Sequence, residues 1–221
     1  FDYGSIKNGS YYKLLKSYYN GNSKIGSIAG ETTSNVASDS AKKNAASVRD
    51  SAKALQEDSL ALLSKGKDSV FTKKNVRQDD GTVKSEYDTD AIYKAVSKFV
   101  KDYNSTIESA ASSEDSSVLS STASMVKATK ANSNLLADVG ISIGSDNKLT
   151  IDEKAFKSAN MTDVKSIFNG TGSYAYGIAS SSSNIYNKSV SQLANLNGYS
   201  YTSTGSYSSY QYTGSLYSQY K

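Results

Sequence analysis

A long run of small and aliphatic residues, spaced alternately by four and three positions, constrains this chain most. The run lies within residues 34–64, and the chain contains no proline, so nothing in the sequence forces a helix to break there. Its members are Ala41, Ala45, Val48, Ala52, Leu55, Ser59 and Leu62. This spacing is typical of a helix with one stripe packed against a partner helix. It predicts a helix of roughly 45 Å that Gly66 ends.

Three more long helices are predicted further along the chain. Asp88 or Thr89 caps a helix over about 89–110, and the polar link at 112–117 separates it from a helix that extends to about 137. A link this short predicts an antiparallel pair. A last helix is predicted over about 173–194. The inward positions are Ile92, Val96, Phe99, Tyr103 and Ile107 in the first, Val118, Thr122, Met125, Thr129, Asn132 and Leu136 in the second, and Ile178, Ile185 and Leu193 in the last.

Two short hairpins are predicted between these helices, near 69–86 and 139–151. Asp79-Asp80-Gly81 and Gly-Ser-Asp-Asn provide their turns, and β-capable residues flank both. Asp152 and Thr162 then predict the starts of two short helices. The predicted fold class is mainly α, an elongated antiparallel helical bundle or coiled coil with two small β-hairpins. This unit spans 34–195, between an N-terminal Tyr-rich helix and loop at 1–33 and a Tyr- and Ser-rich low-complexity tail at 196–221.

The tail has an unusual composition that favours contact over core formation. Residues 197–220 carry no charge, and tyrosines alternate there with Ser, Thr and Gly. Too few aliphatic residues are present for a separate core, so the tail is predicted to be disordered, or to form an added strand or a stacking surface. Tyrosine offers a large amphipathic contact area, which suits docking onto a partner, a glycan or the chain's own bundle. The candidate partner-binding residues are Tyr199, Tyr201, Tyr207, Tyr210 and Tyr212.

The residue types that most enzymes use are missing. The chain has no His and no Cys, which excludes Ser-His-Asp and Cys-His catalysis and thiolate metal sites. Two groups of mainly acidic residues resemble sites. Asp79, Asp80, Glu86 and Asp88 could be paired carboxylates, and Asp146, Asn147, Asp152 and Glu153 could be part of a Ca²⁺ loop. The first lacks an apolar pocket, and the second places Lys148 and Ile151 where a calcium loop needs an oxygen ligand and a glycine. We predict a protein that is not an enzyme, with no catalytic residue, cofactor or metal.

The charge and hydropathy patterns also limit the classes of partner that the chain is expected to bind. The 25 basic and 21 acidic residues are interspersed, so no stripe for nucleic acid is evident. No apolar run approaches the roughly 20 residues that span a membrane. Neither nucleic-acid binding nor membrane insertion is therefore expected.

Residues 135–172 follow a recognisable order of features. A leucine precedes a Gly-Ile-Ser turn, a short hairpin contains Lys-Leu, an aspartate opens a helix, and a Val…Phe pair ends in glycine. These positions are Leu135, Gly140, Ile141, Ser142, Lys148, Leu149, Asp152, Val164, Phe168 and Gly172. The segment resembles the C-terminal region of the flagellar filament-cap family, hook-associated protein 2, and VSKFVKDYNSTI at 96–107 resembles a helix of that family. The resemblance covers about 89–190. The family usually has Gly at the position of Asn147, and its large β-rich middle domains have no counterpart here except 67–87.

The resemblance implies a reduced relative of the filament cap, exported by a flagellar-type route to the extracellular flagellum or cell surface. Its partners would be copies of itself or flagellar axial proteins. Gly140, Ile141, Leu149, Asp152 and Phe168 would be structural members of the shared signature. The alternative function is a secreted adhesin that binds a surface partner or glycan through the Tyr-rich termini.

The helical stripes have two interpretations. They form an internal core, in which 34–64 and 89–110 are mutual partners, or they complete their burial against another subunit. The candidate assembly residues are Val48, Leu55, Leu62, Ile92, Val96, Phe99 and Tyr103.

Overall fold

The computed structural model describes residues 39–196 and the short stretches 199–201 and 207–209. The helix predicted within 1–33, and Tyr210 and Tyr212 of the tail, lie outside the described residues. The described part is mainly helical and carries short antiparallel strand pairs. The predicted mainly α class is therefore confirmed.

Long helices and short elements alternate along the described chain. In order they are α1 (Asp39–Leu62), β1 (Lys74–Arg77), β2 (Val83–Glu86), α2 (Thr89–Ala111), α3 (Ser116–Ala131), α4 (Ser133–Asp138), β3 (Ile141–Ile143), β4 (Leu149–Ile151), α5 (Glu153–Ser158), α6 (Met161–Phe168), α7 (Tyr174–Leu196), β5 (Tyr199–Tyr201) and β6 (Tyr207–Ser209). A single 3-10 turn, Gly66–Asp68, follows α1.

Side-chain caps define where several helices begin. Asp88 accepts a hydrogen bond from the Ala91 N–H at the start of α2, and Asp152 does the same for the Ala155 N–H at the start of α5. Both caps were predicted. The cap expected at Thr162 is wrong by two residues, because Asn160 accepts the Thr162 N–H and α6 begins at Met161. An Asx side chain satisfies one of the N–H groups that a first helical turn leaves unpaired.

Two helices end earlier than the sequence pattern suggests. Helix α1 stops at Leu62, and Gly66, with φ of 66°, opens the following 3-10 turn instead of ending the helix. The helix expected to reach 137 is split at Asn132. The Asn132 side chain donates to the Ala128 carbonyl at 2.8 Å, and α4 begins at the next residue. This local side-chain bond competes with helix continuation.

The long helices pack as antiparallel neighbours. Ser51 and Ser109 hydroxyls lie 2.7 Å apart, Lys98 pairs with Asp58, and the Asn44 amide donates to the Ser112 carbonyl, so α1 and α2 run in opposite directions. This predicted pairing is confirmed, but α7 is the more extensive neighbour of α1.

Helix α7 also runs antiparallel to α1 and packs against α3. Asn169, shortly before α7, donates to the Leu62 carbonyl at the end of α1, and the start of α1 lies beside the end of α7. Helix α3 contacts α2, as the short link predicts, but packs more extensively against α7. The last helix is thus the central one of the four.

The predicted stripes are the interior of the fold. All positions of the α1 stripe are buried except Ala41, which is half-buried, and all five positions of the α2 stripe are buried. In α7, Ile178 and Ile185 are buried as expected, whereas Leu193 is only half-buried. The remaining buried positions of α7 are Tyr174, Ala175, Ala179, Ser182 and Ser189. Apart from Tyr174 these are small residues, which allow helix backbones to approach closely.

Six buried serine and threonine hydroxyls form hydrogen bonds within their own helices. Each donates to the carbonyl four residues earlier, at distances between 2.6 Å and 3.0 Å. The donors are Ser59, Thr106, Thr122, Thr129, Ser182 and Ser189. A buried hydroxyl without a partner is costly, so this bonding lets a Ser- and Thr-rich stripe be buried without a polar partner on the neighbouring helix.

Aromatic rings join α2, α6 and α7 in the middle of the core. The rings of Phe99, Phe168 and Tyr174 contact one another edge to face, with centroids 5.7–6.1 Å apart. Burial raises the pKa of Tyr103 to about 12. Such edge contacts add to the stabilisation that ring burial itself provides.

Both predicted hairpins are present, with three-residue loops. The Gly81 N–H donates to the Gln78 carbonyl, and the Asn147 N–H donates in the same way to the Gly144 carbonyl. Gly81 and Asn147 have φ of 82° and 64°, as expected for a turn followed by a left-handed residue. The β-capable pair Val70-Phe71 is not part of a strand, because Phe71 enters the core instead.

Leu55 and Leu60, both on α1, allow a matched test of the core. Leu55 is fully buried, whereas Leu60 is 52% exposed. Leu55→Ala should lower the free energy of unfolding by about 2–5 kcal/mol, because it leaves a cavity. Leu60→Ala should change it by about 0.5 kcal/mol or less. Urea unfolding followed by circular dichroism measures both; equal effects would contradict the assignment of the buried stripe.

Alanine substitutions at two glycines would distinguish the cost of backbone strain from the cost of steric crowding. Gly140 and Gly66 both have positive φ, but a Cβ at Gly140 would lie 2.9 Å from the Ala155 Cβ and 2.9 Å from the Phe156 nitrogen, whereas Gly66 is open. Gly66→Ala should cost roughly 1–2 kcal/mol from backbone strain. Gly140→Ala should cost at least about 1 kcal/mol more, because backbone must move. Thermal melts of both variants would show the order, and a smaller effect at Gly140 would refute it.

Candidate functional site

A small polar groove lies where the start of α1, the link between α2 and α3, and the end of α7 meet. Its volume is about 270 Å³. Small-molecule sites usually have roughly 300–1,000 Å³ and apolar walls. The residues around this groove are mainly polar and include Asn44, Ser112, Glu114, Gln192, Asn195 and Leu196. The groove therefore suits a single side chain better than a metabolite.

The groove offers hydrogen-bond acceptors. The Gln192 Oε1 atom is buried and has no hydrogen-bond partner among the described residues. Glu114 is exposed, whereas Asp115 already caps α3 through the Ser117 and Val118 N–H groups. A hydroxyl or amide donor from another segment would satisfy Gln192 at little cost.

Both Tyr-rich segments are attached at this end of the helices. Residue 39 begins α1 and Leu196 ends α7, and the two helices are antiparallel and side by side. Five of the 18 tyrosines precede residue 39, and seven follow residue 196. Most of the tyrosine in the chain is thus tethered to one end of the helices, beside the groove.

The predicted assembly residues lie inside the chain. The seven side chains named above, from Val48 to Tyr103, are at most 1% exposed and belong to one core. They fit the internal-core interpretation. The assembly interpretation needs correction for these side chains, because the chain's own helices already cover them and leave no surface for a second subunit.

The residues of the family-like signature belong to the core, a helix cap and a turn. Ile141, Leu149 and Phe168 are buried in the core, and Asp152 caps α5. Gly140 occupies the left-handed backbone region against α5. Asn104 of α2 fastens the β3–β4 hairpin, because its side chain both donates to and accepts from the backbone of Leu149, at 2.8 Å and 2.7 Å.

The candidate tyrosines of the tail fall partly within the described residues. Tyr199 and Tyr201 lie in β5 and Tyr207 in β6, and Tyr201 pairs with Tyr207 across the strands. Tyr210 and Tyr212 are outside the described stretches, so disorder of the tail as a whole stays a prediction.

The carboxylates of the two candidate acidic sites do not come together around a common point. Asp80 accepts from Thr82, which lowers the pKa of Asp80, and Asp88 pairs with Lys74, which lowers the pKa of Asp88. Asp146 accepts the Lys148 N–H within the β3–β4 turn, and Asp152 is a cap. Over the described residues, no group of three or more acidic side chains is arranged to hold a metal ion.

The sequence reasoning missed one charged cluster between α1 and α2. Lys98 bonds Asp58 Oδ1 across the helices and lies 3.3 Å from Asp102, one turn further along α2. Asp58 is 9% exposed, and its second oxygen, Oδ2, has no hydrogen-bond partner among the described residues. Burial raises the pKa of Asp58 to about 6, and the Lys98 hydrogen bond opposes part of that rise. The sequence did contain one sign of this cluster: Asp58 directly precedes Ser59, a member of the predicted buried stripe.

Comparisons with known proteins give no relative. No family model matches the chain, and no curated protein or solved structure is significantly similar to it. The resemblance to the filament-cap family therefore depends on the quoted residues alone. Among the helices that the structure describes, none combines the length and apolar character needed to cross a bilayer.

Asp58 makes a prediction about pH. Its usual pKa is 3.8 and its folded pKa is about 6. Between these values the folded state binds more protons than the unfolded state, so stability should fall as pH rises through this window and level off above it. Asp80 and Asp88, with lowered pKa values, lose their stabilising effect only as the pH falls below this window.

Urea midpoints between about pH 4 and pH 7 measure this effect. The wild-type midpoint should decrease across the range, and Asp58→Asn should remove most of that slope while keeping a hydrogen-bonding side chain beside Lys98. Equal slopes in both proteins would show that Asp58 titrates normally.

Proposed function

We propose that this chain is a non-enzymatic structural protein that assembles with copies of itself or docks on a filament. Its elongated antiparallel helical bundle would act as a rigid spacer, and its Tyr-rich segments would make the contacts. The proposed class is a reduced relative of the flagellar hook-associated and filament-cap proteins, exported to the flagellum or cell surface.

The lengths and directions of the helices support the spacer. Helices α1, α2 and α7 have 23 or 24 residues, which corresponds to about 35 Å each. Because α1 is antiparallel to both α2 and α7, residues 39 and 196 lie at one end of these helices and the β1–β2 hairpin lies at the other, while the β3–β4 hairpin and α5 pack alongside α2. A body of this kind would separate whatever is attached at one end from whatever is attached at the other.

The observation that carries the proposal is the common exit of the two Tyr-rich segments. Residues 39 and 196 lie at the same end, so segments with twelve of the 18 tyrosines start within one small region. Tyrosine is enriched in interfaces because its ring packs and its hydroxyl bonds. A concentration of tyrosine at one end favours a contact surface over a catalytic site.

The same observation also favours a second function, a secreted adhesin. Aromatic rings with hydroxyl groups can stack on sugar rings and bond their hydroxyls, so the cluster would suit a glycan. Assembly is our first choice because the resemblance at 135–172 points to a filament-associated family. The two functions differ in what the tyrosines contact.

Substitutions that keep the tail length distinguish these functions. We would replace Tyr199, Tyr201, Tyr207, Tyr210 and Tyr212 together by serine and measure oligomers by sedimentation and glycan binding on an array. Assembly predicts a shift of oligomers to monomer, whereas adhesion predicts loss of glycan binding with unchanged oligomers. Tyr176→Ser is the matched control, because Tyr176 is 49% exposed on α7, outside the tail.

The melting temperature should not change in the five-residue variant, because we assign these tyrosines to contacts with partners and the variant leaves every residue of the described core unchanged. If the variant keeps both its oligomers and its glycan binding, these tail tyrosines serve neither function.

A further inference from the structure

The β1–β2 hairpin is the most exposed element of secondary structure in the described chain. Every residue of both strands is exposed, and no third described strand pairs with either of them. Val83 is 62% exposed and Val76 is 43% exposed. The hairpin is attached by Phe71 in the core and by the ion pair between Lys74 and Asp88 at 2.8 Å. It lies between α1 and α2, at the end opposite to the Tyr-rich segments.

The backbone of the turn shows which groups point to the free edges. Gln78 donates to the Thr82 carbonyl at 2.8 Å and accepts from Gly81 at 3.0 Å, so Gln78 and Thr82 form a hydrogen-bonded pair. Paired and unpaired positions alternate along an antiparallel ladder. Val83 and Ser85 therefore direct their N–H and C=O groups outward from β2, and Asn75, which is opposite Ser85, directs its groups outward from β1.

The two edges differ in charge. The β1 edge, Lys74–Arg77, carries two cations and no anion, so two copies of it repel each other. Lysine and arginine on an edge strand are a common protection against pairing. The β2 edge, Val83–Glu86, carries one cation and one anion, two positions apart around Ser85. This edge is complementary to itself.

We propose that the β2 edge pairs with the β2 edge of a second copy of this chain, antiparallel and centred on Ser85. In this register Ser85 of each copy forms the hydrogen-bonded pair at the two-fold axis. Lys84 then lies opposite Glu86 of the other copy, twice, at positions where side chains are closest. Val83 lies opposite Tyr87 of the other copy, but the Tyr87 ring is half-buried against its own core and beneath Lys73, so the contact depends on the Ser85 and Lys84–Glu86 pairs.

The pairing makes a four-stranded sheet from two hairpins that are solvent-exposed on both faces. A two-stranded hairpin is marginally stable alone, and added strands stabilise it. The contact is small, so it should be weak, and it matters where copies are already concentrated. In two copies joined in this way, residues 39 and 196, where the Tyr-rich segments begin, lie at the ends away from the shared sheet, so the contacts proposed above do not compete with it. This inference rests on the proposed assembly function.

Proline substitutions test the edge without breaking the hairpin. Ser85→Pro removes an outward N–H and no bond of the β1–β2 ladder, and proline is tolerated at such edge positions. Asn75→Pro is the matched control, because it makes the same change on the opposite edge of the same residue pair. Sedimentation of the full chain should show dimers that Ser85→Pro weakens at least roughly tenfold and Asn75→Pro leaves within about threefold.

A charge exchange provides a second, independent test. Lys84→Glu and Glu86→Lys, each alone, place like charges opposite each other at both contacts and should weaken dimerisation roughly tenfold. The double variant restores opposite charges and should recover the wild-type dissociation constant. Recovery specifies the register as well as the edge, since a register shifted by two residues would not bring these side chains together.

The outcomes separate this inference from the proposed function. Oligomers that respond to neither the proline nor the charge variants overturn the hairpin contact and leave assembly through the Tyr-rich segments standing. Equal weakening by Ser85→Pro and Asn75→Pro overturns the assignment of the edge. A chain that stays monomeric up to about millimolar concentration overturns both proposals.

Discussion

The close antiparallel packing of α1 against α7 is the contact on which the rest of the structure depends. Alanine and serine occupy much of the contact surface on both helices, so little side-chain volume separates the two backbones. The pairing joins the first described helix to the last and encloses the segments between them. Because it is antiparallel, it also decides that the two Tyr-rich segments share one end and that the β1–β2 hairpin lies at the other.

The chain compensates for a weakly apolar interior in two ways. Its apolar fraction is 37%, below the usual level for a globular protein. Serine and threonine bond within their own helices, and a few aromatic rings fill the centre around Phe99. One polar feature that stays buried between α1 and α2 is the Asp58–Lys98–Asp102 cluster, where burial works against ionisation of Asp58.

The stripes of α1 and α2 could be predicted from sequence because apolar residues contrast there with charged neighbours. The hairpins could be predicted because turn residues such as Asp80-Gly81 restrict the backbone locally. The dominance of α7 could not, since Ser182 and Ser189 resemble exposed residues until their intrahelical bonds are seen. The split at Asn132 also depends on one local hydrogen bond that periodicity does not report.

The candidate sites were less predictable than the fold, for a physical reason. The composition of the tail is enough to identify Tyr199 and its neighbours as candidates. That the tail and the N-terminal segment start at the same end of the helices depends on the antiparallel direction of α1 and α7, which the sequence does not give. The self-complementary edge of β2 depends on which backbone groups point outward, and one residue of register would reverse that. Asp58 differs from many surface aspartates only through its burial against α2.

The intrahelical bonding of the buried hydroxyls has a consequence for exchange between molecules. Ser59, Ser182 and the other buried donors carry their acceptors with them, so a helix that leaves its neighbours keeps these intrahelical hydrogen bonds. Such a helix can be replaced by the same helix of another molecule without a polar mismatch. The interior therefore permits swapping of whole helices, and such a swap must break and remake the polar contacts between helices. These include Lys98 with Asp58, Ser51 with Ser109, and Thr129 with Tyr174.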